Sequence, residues 1–179
     1  MTSVKRSDNP NDLYVHHLAT ELRKVSAQYS LDARVKACKE LAQIFYHGGV
    51  LESHLVEDSR SIEMILGIIQ NQKEPVCLRI QALQTLSSLC ILADEVNRVL
   101  HSKHAMQLMI RQFRDGNEMI RKWSVHCAFL LALKNHRRHG ILLQGQRVND
   151  LVTSISMEDW SKFRCNDAER LLTIIEDTK

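Results

Sequence analysis

Apolar residues recur along the chain at helical spacing, and the clearest case is the stretch from Pro75 to Ala93. Its apolar side chains lie three or four positions apart, which places them on one face of a helix. That face consists of Leu78, Ala82, Leu83, Leu86, Leu89 and Cys90. Pro75 stands where a helix tolerates proline, in the first turn. The stretch therefore predicts an amphipathic helix that buries one side.

The same pattern returns three more times, each time after an arginine. The four arginines are 42 to 45 residues apart, at Arg34, Arg79, Arg121 and Arg164. An apolar residue follows each of them at four, seven, ten and eleven positions, which form one helical stripe with the arginine. The sixteen apolar positions are Cys38, Leu41, Ile44 and Phe45; Leu83, Leu86, Leu89 and Cys90; Val125, Ala128, Leu131 and Ala132; and Ala168, Leu171, Ile174 and Ile175.

A second helical pattern precedes three of these segments. Its members are Ile62, Ile65, Leu66 and Ile69; Met106, Met109, Ile110 and Phe113; and Val148, Leu151, Val152 and Ile155. A shorter apolar piece lies six residues earlier each time, around Val56, Leu100 and Leu142. The pattern predicts a repeated unit of short helix, helix and longer helix, and such units of about 40–47 residues are typical of HEAT and armadillo repeats.

The three-helix unit resembles the armadillo repeat, most clearly from Asn97 to Leu133. This segment has Asn-Arg near the first helix, an apolar second helix, a short polar turn and a long third helix. The resemblance covers Asp12 to Glu176 and implies an all-α, right-handed α-solenoid of about three and two-thirds repeats. Armadillo units usually carry small residues or glycine between the first and second helices, where this chain has Ser102-Lys103-His104 in one unit.

The repeats predict a single helical domain over residues 12–177, after a flexible tail at 1–11. Its units are expected at about 12–49, 50–93, 94–136 and 137–177. The alternative is an irregular all-helical domain whose similar helices align by accident. The 179 residues are 44% hydrophobic and 25% charged, which is typical of a globular protein with a real core. No run of eighteen apolar residues occurs, so we expect no membrane span.

Neither the cysteines nor the histidines form a pattern typical of a reactive site. The five cysteines include no Cys-x-x-Cys pair, and their odd number favours a reducing compartment, the cytoplasm or the nucleus. The histidine pairs with i, i+3 spacing have no third ligand nearby in sequence, so no metal is expected. Phosphate-binding loops and nucleophile elbows are missing too. We therefore expect a protein that is not an enzyme and needs no cofactor.

The resemblance implies that the third helices line a concave groove. Positions two, five and nine after each arginine lie off the packing stripe, and most of them are polar. We predict that the first three units bind a partner with Lys36, Lys39, Gln43, Gln81, Gln84, Ser88, Trp123, His126 and Leu130. The same columns contain Asn166, Glu169 and Thr173 in the fourth unit.

One part of this groove is predicted to be a partner pocket. Trp123, His126 and Leu130 place aromatic and aliphatic groups on the outward face, with Lys36 and Lys39 at the basic end. Tryptophan is favoured as an interface anchor. The alternative is that Trp123 is partly buried against the next unit.

These features favour a non-enzymatic interaction module, a scaffold or adaptor that binds a peptide or protein segment on its concave surface. The alternative is a regulator of a nucleotide-binding protein, similar to armadillo-like exchange factors for small GTPases or heat-shock chaperones. Binding of nucleic acid through the basic loop at 134–139 is the least favoured interpretation, because the net charge is only +3. An exposed end of the stack could also pair with a second copy of the chain.

Overall fold

The computed structural model describes residues 30–48, 61–92, 94–134 and 142–177, and these ranges contain eight α-helices and no strand. The helices are α1 Leu31–Gly48, α2 Ser61–Gln70, α3 Val76–Cys90, α4 Asp94–Ser102, α5 Ala105–Gln112, α6 Glu118–Lys134, α7 Gln146–Ser156 and α8 Asp167–Asp177. The predicted all-α class is therefore confirmed for this part of the chain. The predicted tail, the first unit up to residue 29, the predicted short helix around Val56 and most of the basic loop at 134–139 lie outside the described residues.

The predicted apolar stripes form the core. Of the sixteen positions, fifteen have described side chains, and all fifteen are buried. The positions of the second pattern contribute further buried side chains, among them Ile65, Met109 and Val152. Helical spacing brings each set to one face, and burial of that face supplies the main stabilising free energy.

Four helices that carry the stripes lie in contact in chain order. Helix α1 packs against α3, α3 against α6, and α6 against α8. Each shorter helix packs against the long helix that follows it, so α2 contacts α3, α5 contacts α6 and α7 contacts α8. Segments 42 to 45 residues apart in sequence are thus neighbours in space.

Three of the arginines tie one long helix to the turn before the next. Arg34 donates two hydrogen bonds to Glu74, at 2.6 and 2.7 Å. Arg79 donates to Asp115 at 2.6 Å, and Arg121 donates to Glu158 at 2.6 and 2.8 Å. Each acidic partner is 36 to 40 residues away from its arginine in sequence. The guanidinium presents its donors in a rigid fork that fits a carboxylate.

The fourth arginine differs. The pattern predicts that Arg164 belongs to the last long helix, but α8 begins at Asp167, and Arg164 is an exposed residue of the connection before it. The Oδ1 atom of Asn166 accepts hydrogen bonds from the backbone N–H groups of Ala168 and Glu169, at 3.2 and 3.4 Å. This is an N-cap, which starts a helix at the following residue. The apolar stripe of α8 keeps its register although the predicted first turn is not helical.

The connection at 157–166 has ten residues, whereas the equivalent turns at 71–75 and 113–117 have five. It is held in place by Trp160, whose indole N–H donates to the Ile155 carbonyl at 3.0 Å. The buried ammonium of Lys122 bonds the Asp159 carbonyl and the Glu118 carboxylate. The same ammonium lies 5.6 Å from the centroid of the Trp160 ring. These contacts fix the longer connection against α6.

Candidate functional site: a polar groove across three long helices

A shallow, open groove of about 300 Å³ crosses helices α1, α3 and α6. Six of the nine predicted partner-binding residues line it, namely Lys39, Gln43, Gln81, Gln84, Ser88 and Trp123. Ala42, Tyr46 and Ser87 complete the lining. The groove therefore collects side chains that are far apart in sequence, from three consecutive long helices.

These side chains reach the groove because the apolar stripes face the other way. The stripes of α1, α3 and α6 are buried between helices, which leaves the off-stripe positions on the outer surface. Lys39 and Gln43 of α1 are exposed, and Gln81, Gln84 and Ser88 of α3 are half-buried. The middle helix therefore forms the floor of the groove, and α1 and α6 form its sides.

Three glutamine amides in the groove are without hydrogen-bond partners among the described residues. These are the side chains of Gln43, Gln81 and Gln84. The hydroxyls of Ser87 and Ser88 donate to the Gln84 carbonyl at 2.7 and 3.4 Å, so their lone pairs are left to accept. The floor thus offers both donors and acceptors to an incoming polar ligand.

Trp123 has two roles. Its ring packs against Phe163 of the 157–166 connection, with centroids 5.2 Å apart, and meets His126 edge to face at 5.4 Å. It also lines the groove opposite Lys39. The indole Nε1 is buried and has no hydrogen-bond partner among the described residues. Trp123 is thus partly buried against the fourth unit, as the alternative interpretation states, and the rest of its ring lines the groove.

The other three predicted residues do not line this groove. Lys36 is exposed and pairs with Glu40 at 3.6 Å, one turn along α1. Leu130 is half-buried and packs against the hydrophobic core. The Nδ1 atom of His126 lies 2.7 Å from the Asp167 carboxylate. The predicted pocket of Trp123, His126 and Leu130 is therefore divided between the groove, the core and an ion-pair site.

Asp167 is the centre of that ion-pair site. Its carboxylate is buried between His126 and Arg170, whose guanidinium lies 2.9 Å away. Burial by itself raises the pKa of Asp167, but the bonds and charges of His126 and Arg170 outweigh it and hold the pKa below its ordinary value. The carboxylate thus stays ionised and links α6 to the first turn of α8.

The fourth unit does not extend the groove. The amide of Asn166 donates to the Ser156 carbonyl at 2.9 Å while its oxygen caps α8. The hydroxyl of Thr173 donates to the Glu169 carbonyl at 3.2 Å. The Asn166 amide thus serves local structure, whereas Gln81, which stands at the equivalent position of α3, lines the groove.

A comparison with solved structures shows likeness of fold. The crystal structure of an engineered protein from the Northeast Structural Genomics Consortium matches with a TM-score of 0.73 at 12% sequence identity. The match covers 92% of this chain but only 63% of the engineered protein. No family model and no curated protein sequence matches the chain.

The sequence could have indicated the three lining residues that the prediction missed. Ala42 and Tyr46 stand eight and twelve positions after Arg34, and Ser87 stands eight after Arg79. Offsets of five, eight or nine, and twelve follow one another on the same side of a helix. Continuing the predicted column by one turn would have included Tyr46, whose side chain is 66% exposed.

The cysteines of the core are poorly suited to thiol chemistry. Cys38, Cys90 and Cys127 are buried, and burial raises the pKa of the Cys38 thiol to about 12, which suppresses the thiolate.

Within the described ranges, no three histidine, cysteine or acidic side chains come close enough to hold a metal ion. Among the same residues, no helix is long and apolar enough to span a membrane.

Proposed function

We propose that this chain is a non-enzymatic interaction module that binds an extended peptide segment in the groove across α1, α3 and α6. The observation that carries the proposal is a set of three amides, those of Gln43, Gln81 and Gln84, which lie on one continuous surface and have no hydrogen-bond partner in the described part of the chain. Every residue of an extended peptide brings one backbone donor and one backbone acceptor. A row of amides, each with donors and an acceptor, matches that alternation.

We also propose that the helices form an armadillo-like right-handed solenoid. The proposal is supported by the contacts of α1, α3, α6 and α8 in chain order, and by the shorter helix beside α3, α6 and α8. A stack of this kind exposes one column from each long helix on a shared concave side, which suits an extended ligand better than a compact one.

The test begins with selection from an unbiased peptide-display library on the immobilised full chain. The affinity of a selected peptide is then measured by titration against the wild type and against Gln81→Ala, Gln84→Ala and the double variant. We expect each single substitution to weaken binding by about 1 kcal/mol, or about fivefold, because each removes one neutral hydrogen bond. Folding should change little, because neither amide is bonded to a described residue.

Gln70→Ala is the matched control, because Gln70 is an exposed helical glutamine on α2 that does not line the groove. It should bind the selected peptide as the wild type does. The proposal is wrong if no peptide is selected, or if the double variant binds the selected peptide as tightly as Gln70→Ala does.

A further inference from the structure

The charge of the groove is one-sided. The nine described residues that line it include one cation, Lys39, and no acid. Nearby basic side chains of α1 and α3 are paired with acids: Arg34 with Glu74, Arg79 with Asp115 and Lys36 with Glu40. Lys39 makes no ion pair with any described residue. An anionic group on the ligand would supply the missing partner.

The opposite side of the groove is aromatic. Trp123 of α6 is only partly buried, and the contact with Phe163 holds its ring in one position. A ring that is already fixed loses little conformational entropy on binding, so it is a suitable contact for an apolar ligand side chain. The groove therefore presents a positive charge on α1 and a flat apolar surface on α6, with the glutamine amides between them.

The order of the helices limits the distance between these two contacts. Helix α3 lies between α1 and α6, and packed helices are about 8–10 Å apart, so the axes of α1 and α6 are roughly 16–20 Å apart. An extended chain advances about 3.3 Å per residue. Two ligand side chains that reach Lys39 and Trp123 should therefore be separated by about five or six positions.

Beyond Trp123 the groove ends. The 157–166 connection covers one side of that ring through Phe163, and the Asn166 side chain caps α8 and donates to the Ser156 carbonyl. The ligand segment that the groove accommodates is therefore short.

We infer that the groove recognises a short extended segment with an acidic residue on Lys39 and an apolar residue on Trp123, about five or six positions apart. This inference rests on the proposed function and adds the chemistry of the ligand. Charge complementarity selects the acidic residue, and the helix spacing sets the distance between the two residues.

The probes are blocked peptides of serine and threonine that carry one glutamate and one leucine, one to eight positions apart and in both orders. Each is titrated into the ¹⁵N-labelled full chain, and the side-chain signals of Gln84 and of the Trp123 indole N–H are followed. We expect the tightest binding at a separation of about five or six positions. Replacing the glutamate of the best peptide by glutamine or lysine should weaken binding about two- to fivefold, as for an exposed ion pair.

Lys39→Glu is the decisive variant. It should weaken binding of the glutamate peptide and strengthen binding of the lysine peptide, each about two- to fivefold. Lys73→Glu changes the net charge by the same amount at an exposed turn outside the groove, and it should leave the preference unaltered.

Two results overturn the inference without overturning the proposed function. One is equal binding of the glutamate, glutamine and lysine peptides at the groove. The other is that the peptide series shows no optimum in separation, or does not bind at all, while a display-selected peptide still shifts the signals of Gln84 and Trp123. If the display-selected peptide also leaves the signals of Gln84 and Trp123 unchanged, both the inference and the proposed function are wrong.

Discussion

His104 has a positive φ of 58°, the single such value among the described non-glycine residues. It joins α4 to α5, at the position where the armadillo resemblance implies a small residue or glycine. A side chain in the left-handed region costs roughly 1–2 kcal/mol, because its Cβ approaches the following carbonyl oxygen. The presence of histidine instead of glycine at this junction therefore costs free energy locally.

We expect His104→Gly to raise the free energy of unfolding by about 0.5–1 kcal/mol, since relief of the strain exceeds the added flexibility of the unfolded chain. Urea unfolding followed by circular dichroism measures the change. His104→Val should lower the stability, because a β-branched residue fits this conformation poorly. Equal stability of the two variants would contradict the explanation.

Asp167 makes a second prediction at the scale of one residue. Its pKa in the folded chain is lowered, so its stabilising contribution is complete above the ordinary value of about 3.9 and is lost as the pH falls through the lower folded value. Unfolding measured from pH 6 to pH 2 should show a smaller loss of stability below about pH 4 in Asp167→Asn than in the wild type. Asp177→Asn, which changes an exposed carboxylate at the end of α8, should keep the wild-type pH dependence.

At the scale of elements, the arginine contacts determine how one long helix meets the next. The Arg79 side chain is 5% exposed and its partner Asp115 is 10% exposed. Arg79 also donates to Gln112 at 2.6 Å and to the Ile69 carbonyl at 3.3 Å. It therefore joins α2, α3 and the turn before α6 at a single point.

Arg79→Ala should lower the free energy of unfolding by about 3–5 kcal/mol, because it leaves the carboxylate of Asp115 without its buried partner. Arg164→Ala is the matched control from the same sequence pattern, and it should change stability by less than about 0.5 kcal/mol, since Arg164 is exposed. Denaturant unfolding of both variants makes the comparison. Similar losses of stability in the two variants would mean that the contacts of Arg79 with its acidic partner are not the cause of the loss.

At the scale of the whole molecule, each long helix depends on its neighbours in the stack. Helices α3 and α6 each have long helices on both sides, whereas α8 packs on α6 and α7. When units contact only their neighbours, stability is roughly a sum over units and interfaces. The middle of the stack should therefore open less often than α8.

Native-state hydrogen exchange checks this expectation. Amides of Leu86 and Leu89 in α3 and of Leu131 in α6 should exchange more slowly than those of Leu171 and Ile174 in α8. Leu171→Ala should speed exchange in α8 while leaving that of α3 nearly unchanged. Uniform protection of the amides in α3, α6 and α8 would indicate one cooperative unit instead.

The helices and the core could be read from the sequence, because helical periodicity is a local property. The stripes of α1, α3, α6 and α8 were predicted residue by residue, and the described side chains of these stripes are buried. Six of the nine predicted groove residues line one surface for the same reason, since a residue that is off the buried stripe must face outward.

The partners of these residues were decided by the tertiary structure. The acids that bind Arg34, Arg79 and Arg121 are 36 to 40 residues away, and no local pattern specifies them. The late start of α8 and the pairing of His126 with Asp167 depend on how the 157–166 connection packs against α6. By itself the sequence determined which face of each long helix is buried, because that choice needs only the spacing of apolar residues. Where the groove ends and which of its polar groups stay unpaired depend on contacts between units, which exist only after the helices have packed.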